Sequence, residues 1–262
     1  VVLLPIKVSK REHGYMLTTV VLQKRGQARA VAEVLAAVPG VAGVCVFGSV
    51  ARGHARVGSD IDLLVLGTRK RLTPSMLLRR LPVELRMVQL SLAYHTADSL
   101  DCYLRRWSRF GAHLRREGWI LYDPCGELRR LLAVDIPVST TEELAAQRSH
   151  LNNYAHIERF GGRFLLTLTH LYQIGRTVVF AILAEHGILE FDRGRAFRTV
   201  IELYPDCAAD AAAVARLAPF YELATRRSRD SVLPFEPVGC EAEVVRAREA
   251  VVRLLALSGQ SS

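Results

Sequence analysis

Two short apolar runs joined by a glycine-bearing polar loop, VCVFGSVARGHARVGSDIDLLVLG over residues 44–67, constrain this chain more than any other stretch. Val44 to Phe47 is β-rich and reads as a buried strand, and Ile61 begins a second run of the same kind. Between them, Gly48 lets the backbone turn sharply and leaves room for a bulky anion. Ser49 is placed to cap a following helix, whose free N–H groups would form an anion site. Asp60 and Asp62 are two apart on a strand, so both side chains point to one face. Two carboxylates on one face, near an anion-binding turn, suit Mg²⁺ ions bridging to a polyphosphate. Taken singly, a Gly-Ser turn or an Asp-x-Asp pair is ordinary turn or edge chemistry. Their order and spacing between two apolar runs carry the functional reading.

Gly48-Ser49, ten intervening residues, then Asp60-Ile61-Asp62-Leu63 resembles the signature of the DNA polymerase β nucleotidyltransferase superfamily. The strings GSVARG and SDIDLLV are closest to its minimal and aminoglycoside nucleotidyltransferases, and the resemblance covers roughly residues 26–124. It implies an α/β (α+β) domain with a short mixed sheet. It also implies transfer of a nucleoside monophosphate, AMP by default, from an NTP such as ATP to an acceptor hydroxyl, assisted by Mg²⁺, with two ions expected. Gly48 and Ser49 would hold the triphosphate, and Asp60 and Asp62 the metal.

A two-metal site generally needs a further acid, which the resembled family places on a neighbouring strand after a helix. LTPSMLLRRL supplies a helix with Pro74 in its first turn, and VELRMVQLSL after Pro82 reads as a strand. Glu84 near the start of that strand is the expected third carboxylate, as metal ligand and as base. Asp98 and Asp101 are fallbacks in a helical setting. Arg52, three residues after Ser49, shares its helix face and could reach the phosphates, where the resembled family often has Arg or Lys. It could equally be a solvated helix arginine. Ser59 could fix a carboxylate or a phosphate oxygen. His54 and Arg56 read as solvent-facing.

Charge adds little. The chain carries a net charge of +9, but only four of its 35 basic residues are lysines (Lys7, Lys10, Lys24 and Lys70), and they spread along the sequence. This fits codon bias better than a nucleic-acid tract. The Arg105, Arg106, Arg109, Arg115 and Arg116 group reads as a helix face rather than a nucleic-acid patch. Five scattered cysteines without a Cys-x-x-Cys pair argue for reduced thiols, a cytoplasmic location and no structural zinc. The start does not read as a signal peptide, since Pro5, Lys7 and Lys10 interrupt its apolar run. No membrane span is expected, because the richest stretch, 164–183, contains His170, Gln173 and Arg176.

The expected organisation is an arm over 1–25 that could form a β-hairpin, the transferase domain over 26–124, a linker over 125–138, and an all-α bundle over 139–262. Ser139 with Glu142, or Thr140 with Glu143, is patterned as a capping box. Phe164, Leu168, Leu171, Gly175, Val178 and Ile182 form a helical stripe that Gly187 ends. The bundle resembles helical domains that follow such transferases, including the higher-eukaryote-and-prokaryote nucleotide-binding (HEPN) type. It favours a small-molecule acceptor such as an aminoglycoside, or a protein side chain, over an RNA 3′ end. A homodimer is compatible with the sequence but not specified by it. Two other readings are kept: a non-catalytic nucleotide-sensing or antitoxin-like module, and a HEPN-type ribonuclease using Arg163 and His170. Intact Asp60 and Asp62 weigh against the first, and ordinary helix packing of His170 against the second.

Overall fold

In the structure, a computed structural model, residues 10–68, 72–226 and 232–258 are described. They divide into two compact units. One comprises the described residues up to Arg105 together with His113–Ile136; the other comprises Arg106–Ala112 and the described residues from Pro137 onward. The α/β-plus-helical fold class expected from sequence is the one observed.

The first unit opens with a 27-residue helix, α1 (Lys10–Ala36). The expected hairpin is thereby corrected for residues 10–25, while 1–9 lie outside the described residues. The β-branched run Thr18-Thr19-Val20-Val21 suggests a strand locally. However, Val21, Ala28, Val31, Ala32 and Leu35 make one buried stripe along the helix, and tertiary burial overrides local propensity. After the Pro39-Gly40 break come β1 (Val41–Phe47), the four-residue helix α2 (Gly48–Ala51) and β2 (Ile61–Gly67). Next are α3 (Pro74–Arg80), the single turn α4 (Val83–Arg86) and β3 (Leu90–Thr96). Helices α5 (Ala97–Arg106) and α6 (Ser108–Glu117) lead to β4 (Trp119–Tyr122) and α7 (Glu127–Ala133).

The strands form a mixed sheet in the order β3-β2-β1-β4. β1 is antiparallel to both β2 and β4, while β3 runs parallel to β2 across the α3–α4 connection. Val44, Val46, Ile61, Leu63 and Val65 are fully buried and pack with Val31, Leu35, Leu77 and Leu81. The central strands are thus anchored by apolar side chains, and the chain reversal between them lies at one sheet end. The stretch expected to be a linker contains α7, whose first N–H groups, at Leu128 and Arg129, donate to the Asp123 carboxylate. Leu128, Leu131 and Leu132 bury its inner face.

The second unit is helical: α8 (Thr141–Asn152), α9 (Leu165–Glu185), α10 (Arg193–Leu203), α11 (Ala208–Ala215), α12 (Ala218–Arg226) and α13 (Glu241–Leu257). Helix α9 is the axis, and the predicted stripe from Phe164 to Ile182 is its buried face. By length and composition alone α9 could cross a membrane (mean hydropathy 1.2), contrary to the sequence expectation, but 67% of that stretch is buried inside the protein, as in a core helix. Gly175 lets α11 and α13 approach, because a Cβ there would run into Val214 and stand 3.1 Å from Val251 Cγ2. Gly187, left-handed, ends the helix as expected: its N–H donates to Ala184 and that of Ile188 to Leu183. The capping box does not form. The Thr140 hydroxyl donates to Glu185 instead, and Glu143 is taken by Arg109.

Candidate active site

The register of β1 and β2 pairs Phe47 with Asp62, so the Gly48 turn leaves one strand where the carboxylates enter the next. Gly48 has φ +72°, and a side chain there would collide with the Asp62 carboxylate. Only glycine satisfies both conditions, and the turn can therefore lie directly against Asp62. Asp60 sits two residues earlier at the mouth of β2, and both aspartates are half-buried. Ser49 is inside α2 rather than at its cap position, which Phe47 occupies without a side-chain bond. Its hydroxyl is therefore not consumed as a cap.

The turn is held from outside. On α1, Arg25 donates from Nε to the Val50 carbonyl (3.3 Å) and from Nη2 to that of Ala51 (2.9 Å), satisfying carbonyls at the end of α2. Arg52, expected to reach the phosphates, instead donates to Glu117 at 2.7 Å, with His113 Nε2 3.0 Å from the same Glu117 oxygen. Burial pushes the Glu117 carboxyl up, but bonds from His113 and Arg52 outweigh it and hold it below the ordinary range. The ring of His113 meets that of Phe47 edge-on at 5.9 Å. Ser59 is buried, accepts from the Arg56 N–H at 2.9 Å and closes the loop. His54 and Arg56 are exposed, as expected.

Glu84 is not brought to the aspartates. It lies exposed on α4, because VELR turns once more instead of starting the strand. Arg86 fixes that turn by donating to the carbonyls of Leu81 (2.7 Å) and Arg79 (2.9 Å), at the end of α3. Beside Asp62 on β3 the register places Ser91, and just before β3 the Gln89 carbonyl accepts from the Ile61 N–H at 2.9 Å. Asp101 pairs with Arg105 on α5, and Asp98 is exposed on the same helix. Among the described residues no group of three His, Cys, Asp or Glu is arranged to hold a metal. Asp60 and Asp62 still fit one hard divalent cation, since Mg²⁺ is usually held by one or two carboxylates together with substrate phosphates.

One neighbour of the pair escaped the sequence reading. Lys24, half-buried on α1, is close enough to Asp60 to feel its charge; burial lowers its pKa and Asp60 opposes that shift. Only the packing of α1 reveals this, since 36 residues separate the two in sequence. Two concavities of about 300 and 400 Å³ in this unit lie elsewhere, around Trp119, and contain none of the aspartates. The aspartates lie at the sheet end, outside both concavities.

The helical unit has a separate cationic cluster, also missed. Arg176 and Arg193 both approach the Tyr221 ring, at 5.3 and 5.1 Å, with Tyr172 beside Arg176 at 5.8 Å. Burial, and then the Arg193 charge, disfavour the charged form of Arg176, whose Nε has no hydrogen-bond partner among the described residues. Two guanidiniums on one ring, without an ion pair among the described residues, suit an anionic group. By contrast, Arg105, Arg106, Arg109 and Arg115 are engaged with Asp101, Glu142, Glu143 and Asp135. His170 bonds Tyr154 and lies 5.4 Å from the His150 ring, while Arg163 is exposed before α9. Packing accounts for His170.

Residues 28–145 match the family model of the nucleotidyltransferase domain. Among solved structures, spectinomycin adenyltransferase AAD(9) from Enterococcus faecialis, determined with ATP and spectinomycin, is similar with a TM-score of 0.51. The similarity covers 90% of this chain and 99% of that one at 15% identity, and at that identity it speaks for the fold. No curated protein matches the sequence.

Proposed function

We propose that this chain, whose residues 28–145 are a nucleotidyltransferase domain of the DNA polymerase β-like kind, transfers AMP from ATP to a hydroxyl of a small-molecule acceptor, with Mg²⁺. The observation that carries the reading is the Gly48 turn lying against Asp62, with Asp60 at the mouth of the same strand. The ATP and spectinomycin in the structurally similar adenyltransferase favour ATP as donor and a small aminoglycoside-like molecule over a protein side chain or RNA. When bound, a divalent cation would neutralise charge on the phosphoryl oxygens, worth several kcal/mol in the transition state.

The remaining work falls to the chain. The backbone N–H groups of the Gly48 turn and the Ser49 hydroxyl orient the triphosphate. Asp60 and Asp62 would hold the cation. Arg25 keeps the turn rigid through the α2 carbonyls. The acceptor hydroxyl oxygen forms a bond to the α-phosphorus as its proton passes to water, and the bond to the pyrophosphate leaving group breaks.

A second reading, nucleotide binding without transfer, is favoured by one observation: the β3 partner of Asp62 is Ser91 rather than a carboxylate, and Glu84 lies off that strand. Purified protein incubated with Mg²⁺, each α-labelled NTP and a panel of aminoglycosides, cell protein and RNA separates the two. Label moving from ATP to a small molecule supports transfer. Mg²⁺-dependent nucleotide binding with no transfer to any acceptor supports the second reading.

A further inference from the structure

Arg25 and Arg29 stand one turn apart on α1, and both guanidiniums lie over the Trp119 ring of β4, at 5.7 and 4.8 Å from its centre. Two like charges held on one ring repel each other. Yet among the described residues no carboxylate pairs with either, not even Glu33, one turn beyond Arg29. Arg25 donates to the Val50 and Ala51 carbonyls from Nε and Nη2, which leaves its Nη1 available. Together with Leu22, Gly26, Ala51 and Trp119, the two arginines line a concavity of about 400 Å³, and among the described residues they are the only charged groups lining it. That volume falls in the range of small-molecule sites, about 300–1,000 Å³. Gly26 is an independent observation. It lies inside α1, where glycine costs about 1 kcal/mol against alanine, and a β-carbon there would meet nothing within 4 Å. The close approach of α11 and α13 explains Gly175. No described atom explains Gly26, which lines the concavity.

We propose that this face of α1 and β4 binds a small organic anion: one oxyanion group, carboxylate or phosphate, on an apolar body. Arg29 and the Nη1 of Arg25 donate to the oxyanion, whose geometry a planar guanidinium matches with two parallel bonds. The bound charge relieves the repulsion between the two arginines. The apolar body covers Leu22, which is 62% exposed, and occupies the room over Gly26. Gly48, Asp60 and Asp62 do not line this concavity, so the site is separate from the one proposed for the nucleotide.

The test is isothermal titration calorimetry of the full chain, without nucleotide or metal, with phenyl phosphate, phenylacetate and inorganic phosphate as probes. One equivalent of phenyl phosphate or phenylacetate should bind, and the tighter of the two names the oxyanion. Inorganic phosphate, which lacks the apolar body, should bind at least tenfold more weakly. Arg29→Gln, at an exposed position, should weaken the tighter probe at least tenfold by removing a charge, and Gly26→Leu should do the same by filling the space. Arg25 is kept intact because it also holds the α2 carbonyls. Thermal unfolding midpoints control for folding. Gly26→Leu should melt no lower than the wild type, since leucine is the better helix former, and where one variant is destabilised the other decides. No binding of either organic probe, an unchanged affinity in a folded variant, or inorganic phosphate bound as tightly as the better organic probe overturns the proposal.

Discussion

Replacing Gly48 with alanine tests whether the turn and the carboxylate form one unit. The residue has φ +72°, which costs an L-residue about 1–2 kcal/mol. A β-carbon there would stand 3.2 Å from Asp62 Cγ and closer still to Oδ2, so the carboxylate must rotate or the end of β2 must shift. A misplacement on the order of 1 Å at reacting groups costs about 100-fold in rate. Gly53 provides the comparison, with φ +76° but only Arg25 Nη2, at 3.6 Å, near the added carbon. Gly53→Ala should therefore carry the backbone strain alone. Both variants should lower the thermal midpoint by about 2–8 °C, taking about 2–4 °C per kcal/mol for a chain of this size. Only Gly48→Ala should lose about 100-fold in transfer of α-labelled nucleotide. Near-wild-type transfer by Gly48→Ala, or an equal loss in Gly53→Ala, would refute the coupling of turn and carboxylate.

Glu117 titrates below its ordinary value in the folded chain, so its stabilisation is complete above the unfolded carboxyl pKa of about 4.3 and disappears as pH falls through the folded value. Urea midpoints of Glu117→Gln should be lower than wild type at neutral pH and converge on it in acid; a constant gap down to pH 2 would contradict this. Among the thiols, burial pushes Cys45 up to about 12, whereas Cys102 and Cys125 are exposed. A disulfide reagent at pH 8 should modify Cys102 and Cys125 first and reach Cys45 only on unfolding, which peptide mapping would check. In the helical unit, Gly175→Ala should cost about 1–3 kcal/mol by overpacking against Val214 and Val251. An unchanged midpoint in thermal unfolding would show that α11 and α13 do not crowd α9 there.

What the sequence made legible was local. Gly48, Asp60 and Asp62 were readable because a strand–turn–strand unit sets their geometry within a few residues, and the α9 stripe because 3.6-residue periodicity needs no partner. Glu84 was misplaced on a strand because its segment alternates, and the structure makes it a helical turn. Backbone bonds from Leu85 and Arg86 to the Pro82 carbonyl close that turn, and the Arg86 side chain braces it by reaching back to the carbonyls of Leu81 and Arg79. Arg52 was read on a helix face, but α2 ends at Ala51 with Arg52 as its cap, and its partner Glu117 is 65 residues away. Lys24 was assigned to an arm because its β-branched neighbours suggested strands. The packing of α1 against the sheet, which no local pattern announces, brings it to Asp60. The capping box at α8 was lost to competition, with Glu185 and Arg109 claiming its two side chains.

The most direct test of the account is nucleotide transfer by Asp62→Asn, measured beside the wild type with α-labelled ATP, Mg²⁺ and the best acceptor from the panel. Asparagine keeps the volume behind Gly48 and removes only the charge. The account predicts an unchanged unfolding midpoint and a rate lowered at least 100-fold, consistent with losing several kcal/mol of transition-state stabilisation. A folded Asp62→Asn variant that transfers at the wild-type rate would contradict the assignment of this edge as the site of chemistry.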